Sequence, residues 1–255
     1  MTEIRTIKMT ECEEFLRLLC RVFSLDYRRA RSAFTKEPMF DLDRKWAVFQ
    51  DGKIVSVLTT VPVLFGDGRG IGIAGVATAQ ECRGRNLATD LLQEVLQQSE
   101  QRGEGRALLF AMKESLYERS GFRVLDDVVS QPLPPGHVNG EPELIDRDSV
   151  RKLYEAWSEA DPLRLRRDDL RWDHWSWNLK SPYRAGNGYV CHESGRLREA
   201  LPKFQWAPTA ETIEWFGLRK LGEDLGIVFD DAKMEMRLMG RGFDNAPQMF
   251  MTDQF

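Results

Sequence analysis

The sequence predicts an α/β fold of the α+β kind, in which a mixed, mostly antiparallel sheet is flanked by helices. Up to residue 130, β-rich runs separated by Asp-Gly turns alternate with amphipathic helical segments in the order β α α β β β α β α β. A strand, a helix and a strand over 70–113 indicate one parallel crossover in that sheet. The Pro- and Gly-rich segment 131–142 then interrupts the pattern and predicts a linker between two domains, 1–130 and 143–255.

The elements of the first predicted domain follow from residue spacing. Thr10 and Glu13 form a capping-box pattern ahead of apolar residues at helical intervals, and Asp51-Gly52 is typical of a hairpin turn. From 86 to 102 the leucines and Val95 recur on one helical face. The predicted elements are strands at 4–8, 45–50, 53–65, 70–78, 107–112 and 122–130, and helices from Thr10, at 27–34, 86–102 and 115–120.

The second predicted domain has a weaker pattern, and six of the seven tryptophans follow residue 150. Trp172 and Trp175 lie three residues apart on a helical segment, which favours two rings packed on one side of a helix. The alternative is an aromatic wall for a cationic acceptor, with Asp169 or Asp173 adding charge. The other predicted elements are helices at 149–157 and 219–225 and strands at 188–192, 200–206, 211–218 and 233–239.

Composition excludes several classes of protein. With 40 acidic against 36 basic residues and no basic run, the net charge of −4 argues against a nucleic-acid partner. No apolar run is long enough for a membrane span, and the first residues lack the layout of a secretory signal, so we expect a cytoplasmic protein. The four cysteines are far apart without a C-x-x-C, which predicts reduced thiols and no metal site.

The junction between the strand ending near Thr78 and the helix beginning near Asn86 has the character of an anion site. Backbone N–H groups at the start of a helix point outward and carry partial positive charge, and Arg83 and Arg85 add full charges beside them. Gly84 allows close approach of the backbone, so phosphate is the expected ligand. The segment has neither the Gly-Lys-Ser/Thr ending of a Walker A loop nor the G-x-G-x-x-G of a dinucleotide fold.

These residues resemble the pyrophosphate-binding signature Q/R-x-x-G-x-G/A of the GNAT family of N-acetyltransferases. The run Arg83-Gly-Arg-Asn-Leu-Ala88 fits at its first and last positions, and Asn86 replaces the family's glycine. Asparagine is the non-glycine residue best suited to left-handed backbone, so we expect the loop to keep its shape. A second element, Leu116-Tyr-Glu-Arg-Ser-Gly-Phe122, is similar to the family's Y-x-x-x-G-F motif.

The resemblance implies an acetyl-CoA-dependent enzyme without a metal. Tyr117 would protonate the departing CoA thiolate, and a primary amine of a small molecule or peptide would attack directly, without an acyl-enzyme. The excess of acidic residues favours a cationic acceptor. The cofactor-binding residues that the resemblance implies are Val76, Ala77, Thr78, Arg83, Gly84, Arg85, Asn86, Leu87, Ala88 and Thr89.

A closer resemblance is to the Eis-like (enhanced intracellular survival) branch, carried by the runs Ile54-Val-Ser-Val-Leu-Thr-Thr-Val-Pro-Val-Leu64 and Ala74-Gly-Val-Ala-Thr-Ala79. It implies tandem GNAT-like domains, the second degenerate and on the acceptor side, with one CoA site per chain. The sterol-carrier-like third domain of that branch would not fit in 255 residues. In that branch the terminal carboxylate can act as general base, and this chain ends in Phe255.

Other interpretations stay open at this stage. Tyr117 could be a packing residue, and Glu114 is a second candidate for the general base. The three histidines, His137, His174 and His192, are expected at the surface. A non-catalytic acyl-CoA sensor or interaction module that keeps the pyrophosphate loop is the alternative function, and a homo-oligomer is compatible with the sequence.

Overall fold

A computed structural model describes residues 2–133, 143–178, 182–202 and 213–255. Most of the predicted linker lies outside these residues, and so does His137. The ends of the two predicted strands that cover 203–206 and 211–212 also lie outside them. Among the described residues, no helix is long and apolar enough to cross a membrane.

The first half follows the predicted order of elements, and most boundaries move by one or two residues. The amphipathic helix α3 buries Leu91, Leu92 and Val95, as its spacing predicted. The strands are β1 (Thr2–Thr6), β2 (Lys45–Gln50), β3 (Lys53–Phe65), β4 (Gly68–Thr78), β5 (Arg106–Ala111) and β6 (Arg123–Pro132), and the helices are α1 (Cys12–Phe23), α2 (Tyr27–Phe34), α3 (Leu87–Gln101) and α4 (Ser115–Glu118).

The second half contains short strands and three helices in its described part. Two strands were not predicted, namely β7, which has two residues, and β8, which forms a hairpin with β9. The strands are β7 (Leu165–Arg166), β8 (Pro182–Ala185), β9 (Gly188–Glu193), β10 (Arg196–Leu201), β11 (Glu214–Leu218) and β12 (Lys233–Arg241), and the helices are α5 (Arg147–Glu159), α6 (Asp169–Asn178) and α7 (Arg219–Asp224).

All of these strands belong to one sheet, in the order β1-β2-β3-β4-β5-β12-β6-β11-β10-β9-β8, with β7 paired to β3 outside that path. Neighbouring strands are antiparallel except for the parallel pairs β4–β5 and β10–β11. The helix α3 connects β4 to β5, which is the predicted crossover. The mixed, mostly antiparallel fold class predicted from the sequence is therefore confirmed.

The last strand, β12, lies between β5 and β6 and pairs antiparallel with both. Leu238 faces Phe110 of β5 on one side and Asp126 of β6 on the other. The sequence predicted this strand but not its place in the sheet. Since a strand from the second half completes the sheet of the first, the two halves share one sheet, and the proposed division at 131–142 stays a prediction.

Candidate functional site

The strand β4 separates from its parallel neighbour β5 part of the way along its length. Register between the two strands runs from Gly70 to Ile73 and stops there, while β4 continues to Thr78. On its other edge β4 has a β-bulge against β3, and neither Gly75 nor Val76 has a partner in the register with β3 or β5. Gly75 has a positive φ of 61°, which glycine adopts without steric cost. The bulge and the separation leave backbone groups of 74–78 available to a ligand.

The loop before α3 has the backbone shape that an anion site requires. Asn86 is left-handed, with φ 60° and ψ 9°, so asparagine takes the conformation expected of it. The helix begins at Leu87, and the N–H of Asp90 makes the first helical hydrogen bond, to the Asn86 carbonyl at 2.9 Å. The preceding N–H groups, those of Leu87, Ala88 and Thr89, have no helical acceptor and are oriented to bind an anion.

These residues line an open cleft with a volume of about 460 Å³. Val76, Thr78 and all of 83–89 lie in its wall, and only Ala77 of the predicted cofactor residues is absent from it, because Ala77 is buried. The side chain of Arg83 donates to the Thr78 carbonyl and that of Arg85 to the Glu81 carbonyl, both at 3.3 Å. Within the described chain neither guanidinium is paired with a carboxylate, so both charges can neutralise a phosphate.

Tyr117 lies on α4, beside the same cleft. Its neighbours Ser115, Leu116 and Arg119 form part of the cleft wall, and its own half-buried ring packs edge-on against Phe122 with centroids 6.2 Å apart. Burial raises the pKa of the Tyr117 hydroxyl above its ordinary value. A phenol that stays protonated at neutral pH has the protonation state that a general acid requires.

A second cavity, of about 340 Å³, lies on the other side of the β4 bulge. Ala74 and Gly75 line this cavity, and Val76 lines the first, so the two meet at adjacent residues of one strand. The remaining lining residues come from α1, the segment after α2, strands β2 and β3, helix α6 and the chain end; they are Leu19, Glu37, Met39, Lys45, Thr59, Val61, Arg171, His174, Trp177, Asn178, Gln254 and Phe255.

The chain end reaches this second cavity and packs on the sheet. The ring of Phe255 lies over Gly72 of β4 so closely that a Cβ at that position would be 2.4 Å from two ring carbons. It also contacts the ring of Phe110 on β5, with centroids 5.5 Å apart. The structure thus brings Phe255 to the point where β4 and β5 separate, while Glu114 lies elsewhere, paired with Arg237 at 3.1 Å.

A buried ion cluster holds the segment just before Phe255. Arg167 binds Asp253 through Nε at 2.9 Å and an Nη at 2.7 Å, and it binds Glu199 at 2.7 and 3.1 Å. All three side chains are at most 1% exposed. Burial alone would lower the pKa of Arg167, but Asp253 and Glu199 together raise it above its ordinary value. Thr252 joins the cluster by donating to Glu199 at 2.5 Å.

The tryptophans of α6 divide between packing and the cavity. Trp172 and Trp175 are buried and pack edge-on, as the packing interpretation predicted, and the cation they enclose is Arg167 of the chain itself, 4.7 and 5.6 Å from their rings. The aromatic wall interpretation is therefore wrong for these two rings. Asp169 and Asp173 form surface ion pairs with arginines of α5 instead. Trp177, by contrast, is 44% exposed and lines the second cavity.

His174 contradicts the expectation that the histidines lie at the surface. It is 8% exposed, and its Nε2 lies 3.1 Å from Glu37 Oε1. This contact, followed by the charge of Lys45, lowers the pKa of Glu37, although burial opposes the shift. Sequence reasoning also missed Glu37, Lys45 and Arg171 as cavity residues. Arg171 lies in the other half of the chain from Glu37 and Lys45, and the three residues match no motif, so the fold brings them together.

Comparison with known proteins finds a family match in the first half. Residues 3–125 match the family model described as an acetyltransferase (GNAT) domain. The enzyme class predicted from the sequence, a GNAT acyltransferase, is thereby confirmed. No curated protein matched the chain by sequence.

Solved structures resemble the fold over nearly the whole chain, including the second half. A GCN5-related N-acetyltransferase from Kribbella flavida is 19% identical and superposes with a TM-score of 0.75, covering 94% of this chain and 70% of that one. One from Anabaena variabilis is 17% identical, with a TM-score of 0.71 and coverage of 94% and 72%. Eis1 from Mycobacterium abscessus is 17% identical, with a TM-score of 0.62 and coverage of 94% and 73%.

Proposed function

We propose that this protein transfers the acetyl group of acetyl-CoA to a primary amine of a small molecule. The observation that carries the proposal is the meeting of two cavities at the β4 bulge, where Val76 lines one and Ala74 and Gly75 line the other. A donor in the first cavity and an acceptor in the second would face each other across unpaired backbone. Both volumes lie in the range of small-molecule sites.

The first cavity has the chemistry that CoA requires. The N–H groups of Leu87, Ala88 and Thr89 would hold the pyrophosphate together with the guanidinium groups of Arg83 and Arg85, which have no carboxylate partner in the described chain. The unpaired edge of β4 at 76–78 would bind the extended pantetheine arm, and the Val76 N–H would donate to the thioester carbonyl. The structure describes no cluster of His, Cys, Asp or Glu suited to a metal in the ranges it covers, and the proposal uses none.

Two groups of the chain would move the protons. The acceptor arrives as an ammonium, loses a proton to the Phe255 carboxylate, and attacks the thioester carbon, so that a C–N bond forms and the C–S bond breaks. The thiolate then takes the proton of the Tyr117 hydroxyl, and the extra proton on the newly bonded nitrogen returns to the Tyr117 phenolate, so that the products are the neutral amide and the CoA thiol. The high pKa of Tyr117 suits it to this step, because the phenol remains protonated until the stronger base appears.

The Eis-like branch is the assignment that we favour within the GNAT proteins. The chain end lies beside β4, as that branch implies, and Eis1 is among the structures that share the fold. We also propose a single CoA site per chain, because β11 is followed by the six-residue helix α7 instead of a long helix with a glycine-rich start. The cytoplasmic location expected from the sequence is likewise a proposal.

Thiol release from acetyl-CoA in the presence of a panel of primary amines tests the proposal. We expect turnover by the unchanged protein and a loss of about 100-fold in kcat for Tyr117→Phe, since general acids contribute at that scale. Tyr183→Phe is the matched control, because Tyr183 lies in β8 and stacks on His192, outside both cavities. Deletion of Phe255 should lower kcat without weakening CoA binding.

The alternative function, a non-catalytic acyl-CoA sensor, gives a different result in the same experiments. It predicts thermal stabilisation by CoA but no thiol release with any amine. Undiminished turnover in Tyr117→Phe would refute the role of that hydroxyl while leaving acetyl transfer intact.

A further inference from the structure

Lys45 carries a positive charge in the second cavity that no acidic group of the described chain neutralises by an ion pair. It is only 5% exposed and lines the cavity from the first residue of β2. Within the described chain no carboxylate lies within 4.0 Å of its ammonium and no hydrogen bond from it is formed. Burial lowers the pKa of Lys45, while Glu37 and Asp41 oppose that shift from a greater distance.

The groups nearest to Lys45 are engaged elsewhere. The Oε1 of Glu37 contacts the Nε2 of His174 at 3.1 Å. Asp41 accepts a hydrogen bond from the backbone N–H of Asp43 at 2.9 Å, and its other oxygen lies 4.0 Å from Arg44. The rings of Phe34 and Phe40 lie 5.4 and 5.7 Å from the ammonium and attract the charge weakly, but they accept no N–H···O bond. A buried ammonium with three donors and no oxygen acceptor calls for an anion from outside the chain.

The register of the sheet directs Lys45 toward the site of acyl transfer. Lys45 pairs with Thr59 of β3, and Thr59 pairs with Ala74 of β4, so the three side chains lie in a row on one face. All three line the second cavity. The Cα atoms of Lys45 and Ala74 are two strand spacings, about 10 Å, apart. One molecule in this cavity can therefore touch β4 with one end and Lys45 with the other.

The second cation of the cavity, Arg171, is already committed. Its guanidinium donates to the Pro62 carbonyl at 2.5 Å and to the Asp253 carbonyl at 3.4 Å. It adds positive potential but has less capacity for a new partner. The cavity is thus not predominantly acidic, because Lys45 and Arg171 stand in it with two acidic groups, the Glu37 side chain and the terminal carboxylate of Phe255.

We propose that Lys45 binds an anionic group of the acceptor, which makes the acceptor a molecule that carries both a primary amine and a carboxylate. This inference rests on the proposed function, since it names the acceptor class for that same site. The amine lies at the β4 bulge beside the Phe255 carboxylate, and the acid lies at Lys45. Lys45 is thus a residue that selects the substrate and takes no part in the chemical step.

Calorimetric titration of the full chain with a matched pair, 5-aminopentanoate and pentylamine, tests the inference with and without CoA. The two probes differ only in the carboxylate. We expect the carboxylate to improve the affinity by about tenfold or more, the effect of one hydrogen bond between charged groups. Lys45→Met should remove that advantage, Lys45→Arg should keep most of it, and Lys53→Met at an exposed site should change nothing.

Steady-state kinetics provides the second readout. Lys45→Met should raise KM for 5-aminopentanoate by a larger factor than it raises KM for pentylamine. Equal binding of the two probes to the unchanged protein overturns the inference even if Lys45→Met does not fold, and so does an equal loss for both probes in Lys45→Met. Failure of CoA to bind or to release its thiol would instead refute the proposed function, and the titrations without CoA would still decide the role of Lys45.

Discussion

Replacement of Arg167 by methionine should destabilise the whole protein, because this residue neutralises two buried carboxylates at once. Glu199 and Asp253 are at most 1% exposed and each is bound at 2.7 Å, so removal of the guanidinium leaves both charges in a place without water. In the part of the chain that the structure describes, Arg171, 3.8 Å from Asp253, is the one other cation within 4.0 Å of either carboxylate. Breaking a buried pair in this way costs about 3–5 kcal/mol. For a chain of this length that corresponds to a fall of about 6–20 °C in the unfolding temperature.

Scanning calorimetry of Arg167→Met against Arg147→Met measures this effect with a matched control. Arg147 pairs with Asp173 at 2.8 Å, but those side chains are 40% and 58% exposed, so its loss should cost less than about 1 kcal/mol. Thiol release should also fall in Arg167→Met, since Asp253 no longer fixes the segment that carries Phe255. Equal unfolding temperatures for the two variants would show that the cluster does not have the energetic weight derived from its burial.

Three further predictions concern single contacts. Gly72→Ala should lower kcat about tenfold or more without changing CoA affinity, because the added Cβ displaces the Phe255 ring. Gly105→Ala is the control and should be neutral, because a Cβ added at Gly105 meets no atom of the described chain within 4 Å. Equal kinetics of the two variants would argue against the position of the Phe255 ring over Gly72. Asn86→Val should weaken CoA binding by about 5- to 30-fold in titration, since a branched residue in left-handed backbone costs 1–2 kcal/mol, while Asn86→Gly should bind as well as the unchanged protein. Burial, followed by the charge of Glu199, raises the pKa of the Tyr189 hydroxyl well above its ordinary value of 10.0. The stability that the neutral hydroxyl contributes is therefore fully present below pH 10.0 and is lost as the pH rises through the raised pKa. Tyr189→Phe should flatten the alkaline fall in unfolding temperature, because it removes this titration.

The sequence was informative where structure depends on neighbouring residues. Hairpins follow from Asp-Gly turns, α3 follows from apolar spacing, and the left-handed backbone of Asn86 follows from a preference of that residue type. The backbone shape of the proposed cofactor loop could be predicted for the same reason, because its N–H groups, its glycine and its arginines lie within one short segment. A local motif needs no knowledge of the rest of the fold.

The second cavity, where we propose that the acceptor binds, could not be predicted, because residues from both halves of the chain meet there only through the fold. The sequence pattern around His174 indicates a polar residue on a helix, whereas in the fold it is buried and contacts Glu37 from the other half of the chain. Lys45 is the first residue of an ordinary strand until the register with Thr59 and Ala74 places it over the cavity. No local pattern carries the position of β12, which brings the chain end back toward β4.

The position of β12 also has a consequence for biosynthesis. The ribosome makes β5 and β6 early, but the strand that separates them begins at Lys233, about a hundred residues after β6 ends at Pro132. During that interval the nascent chain presents two open strand edges, which are prone to pair with the wrong partner. The sheet of the first half therefore stays incomplete while the chain emerges, and those edges remain open until the last strand is synthesised.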